Sequence, residues 1–585
     1  RTGRVCSADP ARSRHDVSVI DHYRQARQEL DNGPFATTEI VVGGVPMRVF
    51  VAAPPTLRML WQLTAAHGDK TYIVYEDERL TYSEVHAQVR SLAHYLQASG
   101  VGRGDRVAIA MRNYPEWVVA YWAAVSIGAA VVGMNAWWTS AEMEFGLADS
   151  RPKVLIADDE RLERALPVLD GLRVVAPLHV IAVRSARSLP VDSTPWDDVV
   201  QPATAPDALP DADIDPDDDA CIFYTSGTTG VPKGAQLTHR GSIHNLLNIA
   251  YMTTAISMAE AKAVAAGDAG ASAPAAPPAQ LVLMAPTPLF HVTACNCIMH
   301  PATLTGGTVV FMRKWDAGRA LELIERERVT NFSGVPTMSR ELLAHPDWAT
   351  RDTSSLAGMT GGGAAVQPDL VDKIDHALKD GAPGTGYGLT ETHGIVTANG
   401  ARLYLAKPDS AGPLVPTLDA KLVDAAGNDL APGPDVVGQL CVRGAVVIKG
   451  YLNQPEATAE AIRDGWFNTG DIARIDDDGF VFIVDRAKDM VLRGGENVYC
   501  TEVEAAIYQH DAVAEAAVFG IPDERLGEQV GAALVLHPGA ALTEEELQHF
   551  LSERIAKYKI PSKVWFLTDQ LPRNANGKFV KRDLR

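Results

Sequence analysis

Cysteine is scarce in this chain. The six cysteines, Cys6, Cys221, Cys295, Cys297, Cys441 and Cys500, are spread over 585 residues, and none stands in a CxxC pair. That excludes a disulfide framework and a zinc ribbon, and it fits a reducing, cytoplasmic setting. Cys295 and Cys297 read as packing. Basic charge is in deficit, with a net −20, so nucleic acid is excluded as the main partner. A small anionic ligand, which needs only a local site, is not. Long apolar runs are missing except for one charge-free stretch, WVVAYWAAVSIGAAVVGMNAWWTS from Trp117. Gly128 divides it into a buried helix and the short strand AAVVGMN, which predicts an internal α/β element in place of a membrane span. RTGRVCSADPARSRHD has no apolar core and is no secretory signal; a first residue of Arg1 leaves the native start open. There is no internal repeat.

Present instead is a long alternation. LTYSEVHAQVRSLAHYLQASG is amphipathic with a glycine stop, and DRVAIAM, AVVGMN, PKVLIADD and LHVIAV are short apolar runs between helical stretches. The rhythm resumes with QLVLMAP, GTVVFM and ALELIERERV. Such alternation predicts parallel β/α layers. Two stretches interrupt it. PATAPDALPDADIDPDDD (202–219) reads as an exposed acidic connector, and AKAVAAGDAGASAPAAPPAQ (261–280) as a flexible surface insertion. After Val415 the texture turns to short strands and turns, a β-rich module. Beyond Asp485 follow about 100 residues of mixed α+β character. The expected fold class is α/β: a large domain of layered α/β subdomains plus a β-rich subdomain, then a small mobile α+β domain. The expected boundaries are 1–56 (extension and lead-in helix), 57–484 and 485–585, with a hinge at Asp485.

Chemistry concentrates in loops. In YTSGTTGVPKG, Gly227 and Gly230 let amide N–H groups converge on an anion. Thr225, Ser226, Thr228 and Thr229 add hydroxyls, and Lys233 adds charge. The strand-like CIFYT before it places the loop at a strand end, where open α/β sheets bind ligands. It is not GxxxxGK[ST], since Gly234 follows Lys233. A Gly/Thr-rich surface hairpin is the bland alternative. In GYGLTET, Glu391 suits a Mg2+ ligand beside phosphate oxygens, or equally a helix N-terminal carboxylate. In FNTGD, Asp471 suits two ribose hydroxyls, or caps a turn. Lys578 in PRNANGK tips a Gly/Asn-rich loop, where a lone lysine is ordinarily just solvated.

Taken in order, YTSGTTGVPKG, GYGLTET, WFNTGD, DRAKDMVLRGGENV and PRNANGK resemble the adenylate-forming superfamily of acyl- and aryl-CoA synthetases, adenylation domains and luciferases. The likeness runs from about Leu57 to Arg585. It implies activation of a carboxylic acid with ATP to an acyl-adenylate and pyrophosphate, then transfer to a thiol. The co-substrates implied are ATP, Mg2+ and CoA. On the resemblance, Thr225 to Thr229, Gly230 and Lys233 cradle the β- and γ-phosphates. Glu391 binds Mg2+, Thr390 contacts the α-phosphate, and Asp471 and Arg486 hold the ribose. Gly361 to Ala364, with Gly386 and Tyr387, form the adenine slot. Lys578 bridges the acid and the α-phosphate. Asp485 is the hinge of a small-domain rotation that brings Gly494 and Gly495 to the thiol's path.

The same resemblance places the acid behind PTPLFHVTACNCIMH and FSGVPTM, with His291, Val292, Cys295, Gly334 and Gly361 in the acyl pocket. His291 stands where amino-acid-activating relatives carry an aspartate, which disfavours an amino acid; its bland reading is a packed core histidine. Small residues (Thr293, Ala294, Cys295, Cys297) leave room for a long or wide apolar ligand. The overall likeness is to bacterial fatty-acyl-CoA ligases, so a medium- to long-chain fatty acid is expected. A cinnamate-like aryl acid or a terpenoid or steroid side-chain acid is the alternative. CoA is expected over a separate carrier protein, and a catalytic protein over a dead scaffold. A homodimer and peripheral membrane contact stay open.

Overall fold

The computed structural model describes residues 10–225, 232–268, 279–431, 433–494, 496–574 and 577–584. Two eight-stranded sheets dominate. The first is parallel from Asp219–Thr225 through Ala130–Gly133, Arg106–Ala110, Val154–Asp158 and His179–Val183 to Ser193–Pro195, with Lys233–Thr238 and Gly450–Tyr451 added antiparallel at one side. The second is parallel from Ala382–Tyr387 through Gly358–Gly362, Asn331–Gly334, Val282–Ala285 and Thr308–Phe311 to Thr71–Tyr75, with an antiparallel strand at each edge. The chain enters the second sheet, builds the first, and returns.

The charge-free run of the sequence lies in the core that both sheets share. Pro115 opens the helix Pro115–Ser126, where its missing N–H costs nothing. Every residue of that helix except Glu116 is buried, and Glu116 pairs with Arg184 at 2.8 Å. Trp122 stacks on Trp61 at 4.9 Å and donates its indole N–H to the Tyr72 hydroxyl at 3.1 Å. Gly128 then turns with φ +78° into the strand Ala130–Gly133. A helix apolar all round is one covered all round. No helix among the described residues is long and apolar enough to cross a membrane.

A third, antiparallel sheet runs Gly412–Pro413, Phe480–Arg486, Trp466–Ile475, Val437–Gly444, Leu418–Val423, as the texture after Val415 indicated. Its strand Phe480–Arg486 leads directly into the small domain. There Val513–Asp523 and Gly527–Leu536 form a long hairpin, flanked by Val491–Arg493 and Lys563–Leu567, with the helices Cys500–Ile507 and Glu544–Ser552 on its core. Residues 10–56, expected as an extension, build into the large domain. The helix Pro10–Asp31 lies along His239–Ala266, joined by Lys262–Glu29 at 2.6 Å and by Arg27 donating to the Tyr251 hydroxyl at 3.2 Å.

One loop reading changes. The acidic connector is largely exposed, as expected, and its end is tied by Arg103 to Asp218 at 2.6 Å and Arg240 to Asp217 at 2.7 Å. The Ala-rich stretch from 261 begins as helix, because alanine continues His239–Ala266 until Gly267 caps it with φ +73°. Residues 269–278 of that stretch lie outside the described residues.

Trp122→Ala removes a stacked indole and a buried hydrogen bond that nothing can refill, so the loss is about 3–5 kcal/mol. It is read as a lowered urea midpoint for the large domain at unchanged m-value.

Candidate active site

The site gathers at the carboxyl ends of the parallel strands of both sheets, where such sheets open a crevice. From the first sheet comes the antiparallel turn between Thr225 and Lys233, which pair directly. Ser226, Gly227, Thr228, Thr229 and Gly230 lie outside the described residues. The Lys233 ammonium stands 5.1 Å from the centre of the Tyr451 ring.

From the second sheet come Gly361, Gly362 and Tyr387. Gly362 pairs with Gly386, and Gly363 turns with φ +76° to leave Ala364 exposed beside the strand ends. After Tyr387 the chain doubles back so tightly that a β-carbon at Gly388 would fall 1.6 Å from the Gly394 carbonyl oxygen. Only glycine fits there. Thr390–Thr392 forms the short turn carrying Glu391. His393, buried, pins that turn: it accepts the Thr238 N–H at 2.9 Å and its other ring nitrogen donates to the Val446 carbonyl at 2.7 Å. Burial lowers its pKa to about 4, which keeps the ring neutral for this two-sided role.

Glu391 is consequently aimed, and burial raises its pKa. One carboxylate oxygen accepts the Tyr451 hydroxyl at 2.9 Å, and its own carbonyl accepts the Ile448 N–H at 3.0 Å. Tyr451 reaches it because Gly450–Tyr451 pairs with the strand that Lys233 begins. The sequence reading missed Tyr451: a tyrosine in GYLN carries no chemical signal until this edge pairing is known. Among the described residues no group of three acidic, histidine or cysteine side chains could cage a metal. Glu391 presents a single aimed carboxylate, the kind of group by which Mg2+ is ordinarily held together with substrate phosphates.

The third sheet closes the crevice. Asp471 and Arg486 are direct partners on adjacent strands, with Arg486 Nε 3.1 Å from Asp471 Oδ1. The other oxygen of Asp471 accepts the Tyr387 hydroxyl at 2.6 Å. Burial and the Asp471 charge push the Tyr387 phenol well up, so it stays a donor. Asp485 is buried and raised to about 6 by burial. Its carboxylate accepts the N–H of Arg486 at 2.8 Å and of Cys500, so the expected hinge residue caps the first helix of the small domain.

Lys578 is brought to the same place. The adjoining Gly577 sits against the large domain, its would-be β-carbon 3.0 Å from Val335 and 3.8 Å from Met338. Burial lowers the Lys578 ammonium to about 8, Arg486 adds to this, and Asp471 and Asp489 oppose it. The lysine is partly buried. Gly494 is exposed in a hairpin, bonded to Leu526 of its own domain at 2.8 Å, and Gly495 lies outside the described residues.

The acid side is partly as expected. His291 opens the helical segment Val292–Ala294, and burial lowers its pKa to about 3. Its Nε2 is buried without a hydrogen-bond partner among the described residues, which marks it as a group awaiting one. Gly334 packs against Phe332 and Met338, and Gly361 against Val366. Cys295 is fully buried. The segment Cys295–Met299 is a π-turn, and the Cys295 thiol lies in the core with its sulfur 4.0 Å from His300 Nε2. The extra residue per turn rotates that face away from an α-helical expectation. Val292 likewise belongs to the core. A small cavity of about 50 Å3 opens beside Phe290 and Met338, lined also by Trp137, Arg112, Arg313 and Lys314.

Residues 60–452 match the AMP-binding enzyme family, and residues 502–578 match the AMP-binding enzyme C-terminal domain. The chain belongs to the AMP-binding enzyme family. This family member is 38% identical to a feruloyl-CoA synthase of an Amycolatopsis species over 510 residues, 86% of this chain and 93% of that protein. It is 33% identical to a long-chain-fatty-acid–CoA ligase of Bacillus subtilis, over 90% of this chain and 93% of the ligase. It superposes on ATP-bound MatB of Rhodopseudomonas palustris with a TM-score of 0.75 at 30% identity, covering 90% of this chain and 98% of MatB. It stands among the AMP-forming acid–CoA ligases.

Asp471→Asn keeps the shape of the crevice but removes the charge that Arg486 and Tyr387 share. AMP affinity by titration calorimetry should fall about 10- to 100-fold, the worth of charge-assisted hydrogen bonds.

Proposed function

We propose that this protein joins an apolar carboxylic acid to CoA in two steps through an acyl-adenylate, with Lys578 the cation used in the first. The observation that carries this is the convergence of Lys578, from the small domain, on the same crevice as Asp471 and Arg486. Two anions, a carboxylate and a phosphate, must meet for adenylation, and preorganised cations in a water-poor crevice lower that barrier. Thr225 with Lys233 would receive the outer phosphates, Thr390 the α-phosphate, Asp471 and Arg486 the ribose, and Gly361 to Ala364 with Tyr387 the adenine. Glu391 would hold Mg2+, whose charge neutralises departing pyrophosphate. His291 Nε2, neutral and unpartnered, would meet the acid's carboxylate. For the thiol step the small domain turns about Asp485, taking Lys578 away and bringing in Gly494 and Gly495. The cations of the cavity beside Phe290 suit a polyanionic thiol carrier such as CoA.

The acid is read as aryl-propenoic, of the cinnamate kind, ahead of the fatty acid that the sequence suggested. The case for a long chain rested on small side chains, and two of them, Ala294 and Cys295, face the core. The higher identity to the feruloyl-CoA synthase, 38% against 33%, favours the same class. A fatty acid is the second reading, supported by the Bacillus ligase relative. A panel of C4 to C18 acids, benzoate and cinnamates with ATP and CoA decides it: faster thioester formation with cinnamates supports the first reading, and turnover confined to C10–C18 acids overturns it.

Lys578→Ala should abolish acid-dependent pyrophosphate release while still converting supplied acyl-adenylate and CoA to thioester. Equal loss of both steps in a folded protein would refute the role. The wild-type pH profile gives a second check. A lysine lowered by burial loses its charge as pH rises through about 8, so kcat/KM for adenylation, which reports the free enzyme, falls above that pH. The thioester step, run from supplied adenylate, should lack that limb.

A further inference from the structure

The loop that carries Lys578 is a tight hairpin. Asn574 N–H donates to the Lys578 carbonyl at 2.9 Å, Lys578 N–H donates to the Asn574 side chain at 3.0 Å, and Arg573 bridges Phe579 at its base. Whatever holds Arg573 therefore holds Lys578. The Arg573 guanidinium is fastened on two sides. One nitrogen bonds Glu515 in its own domain. Another crosses to the large domain and meets Glu341 Oε1 at 3.0 Å. Glu341 lies on the helix Pro336–Ala344, whose Met338 also receives Gly577. Its second oxygen accepts the Trp315 indole N–H at 2.5 Å, so the carboxylate is oriented before the small domain arrives.

Resting on the two-step reading above, we propose that Glu341 is a positioning residue, the large-domain half of a latch that seats Lys578 for adenylation and must let go before thioester formation. The two sides of Arg573 differ in consequence. Its bond to Glu515 travels with the small domain, so releasing Glu341 leaves the guanidinium still paired and the hairpin intact. What is lost is domain-to-domain attraction alone. A contact present in one domain position and absent in the other shifts their populations by its differential free energy. The pair is partly shielded, with Arg573 16% and Glu341 28% exposed, which sets it apart from a freely screened surface bridge.

The test uses Glu341→Gln, which keeps an acceptor for Trp315 and removes the charge that draws Arg573. The acid is cinnamic or decanoic acid, whichever the wild type turns over faster. Pyrophosphate release and conversion of the supplied adenylate with CoA are measured separately. The variant is expected to lose about 5- to 30-fold in kcat/KM for adenylation, with the thioester step unchanged or faster. In an Arg573→Ala background the same substitution should do nothing further, the signature of one shared contact. Equal falls in both steps, or an undiminished effect without Arg573, overturn the latch. A wild type inert in both steps overturns the two-step reading itself, and a wild type active in both with an indifferent Glu341→Gln overturns the latch alone.

Discussion

The structure turns on one buried carboxylate. Asp471 takes the Tyr387 hydroxyl from the second large sheet and the Arg486 guanidinium from the neighbouring strand of the third. A buried carboxylate stripped of its partners would cost several kcal/mol, so each partner is fixed by its need. Tyr387 closes the strand that ends in the GYGLTET turn. Arg486 follows Asp485, whose own carboxylate caps the first helix of the small domain. The nucleotide crevice, the β-rich subdomain and the entry to the small domain thereby meet around one charge.

Charge elsewhere in the site is arranged by withholding it. His291 and His393 are kept neutral by burial, one with an Nε2 that has no hydrogen-bond partner among the described residues and the other as a two-sided structural pin. Glu391 is raised and Lys578 lowered, both chiefly by desolvation. Perturbed groups of both signs clustered in one crevice mark a place prepared for a ligand that completes the electrostatics.

Much of this was legible in the sequence because the chemistry is written locally. Glu391, Asp471, Arg486 and Lys578 sit in short sequence motifs, Glu391 and Lys578 in glycine-bearing turns and Asp471 and Arg486 paired on adjacent strands. The buried helix from Pro115 was legible too, since an uncharged run divided by glycine admits few placements. What was not legible depends on pairing. Periodicity announces strands but not which of two sheets each joins, so the return of the chain to the second sheet after 282 could not be read. Tyr451 acquires meaning only from its edge pairing beside Lys233. The π-turn at Cys295–Met299 has no sequence signal, so the burial of Cys295 beside His300 could not be read either.

The lowered Lys578 also bears on why this cation sits on a separate domain. Among the protein's own groups its charge is weakly compensated, with burial and Arg486 working against it and Asp471 and Asp489 for it. Lysine is thus a weak reason for the small domain to dock; contacts such as Val335 against Gly577 and Arg340 over the Tyr508 ring at 4.6 Å hold it there. A bound nucleotide and acid would reverse the sign of that contribution, since two anions offer the ammonium the partners it lacks. Once pyrophosphate has left and the carboxylate is joined to the α-phosphate as a mixed anhydride, most of that negative charge is gone. On the proposed reading, the reaction itself then withdraws the ligand's share of the docking free energy, and the domain is freed at the step that needs it elsewhere.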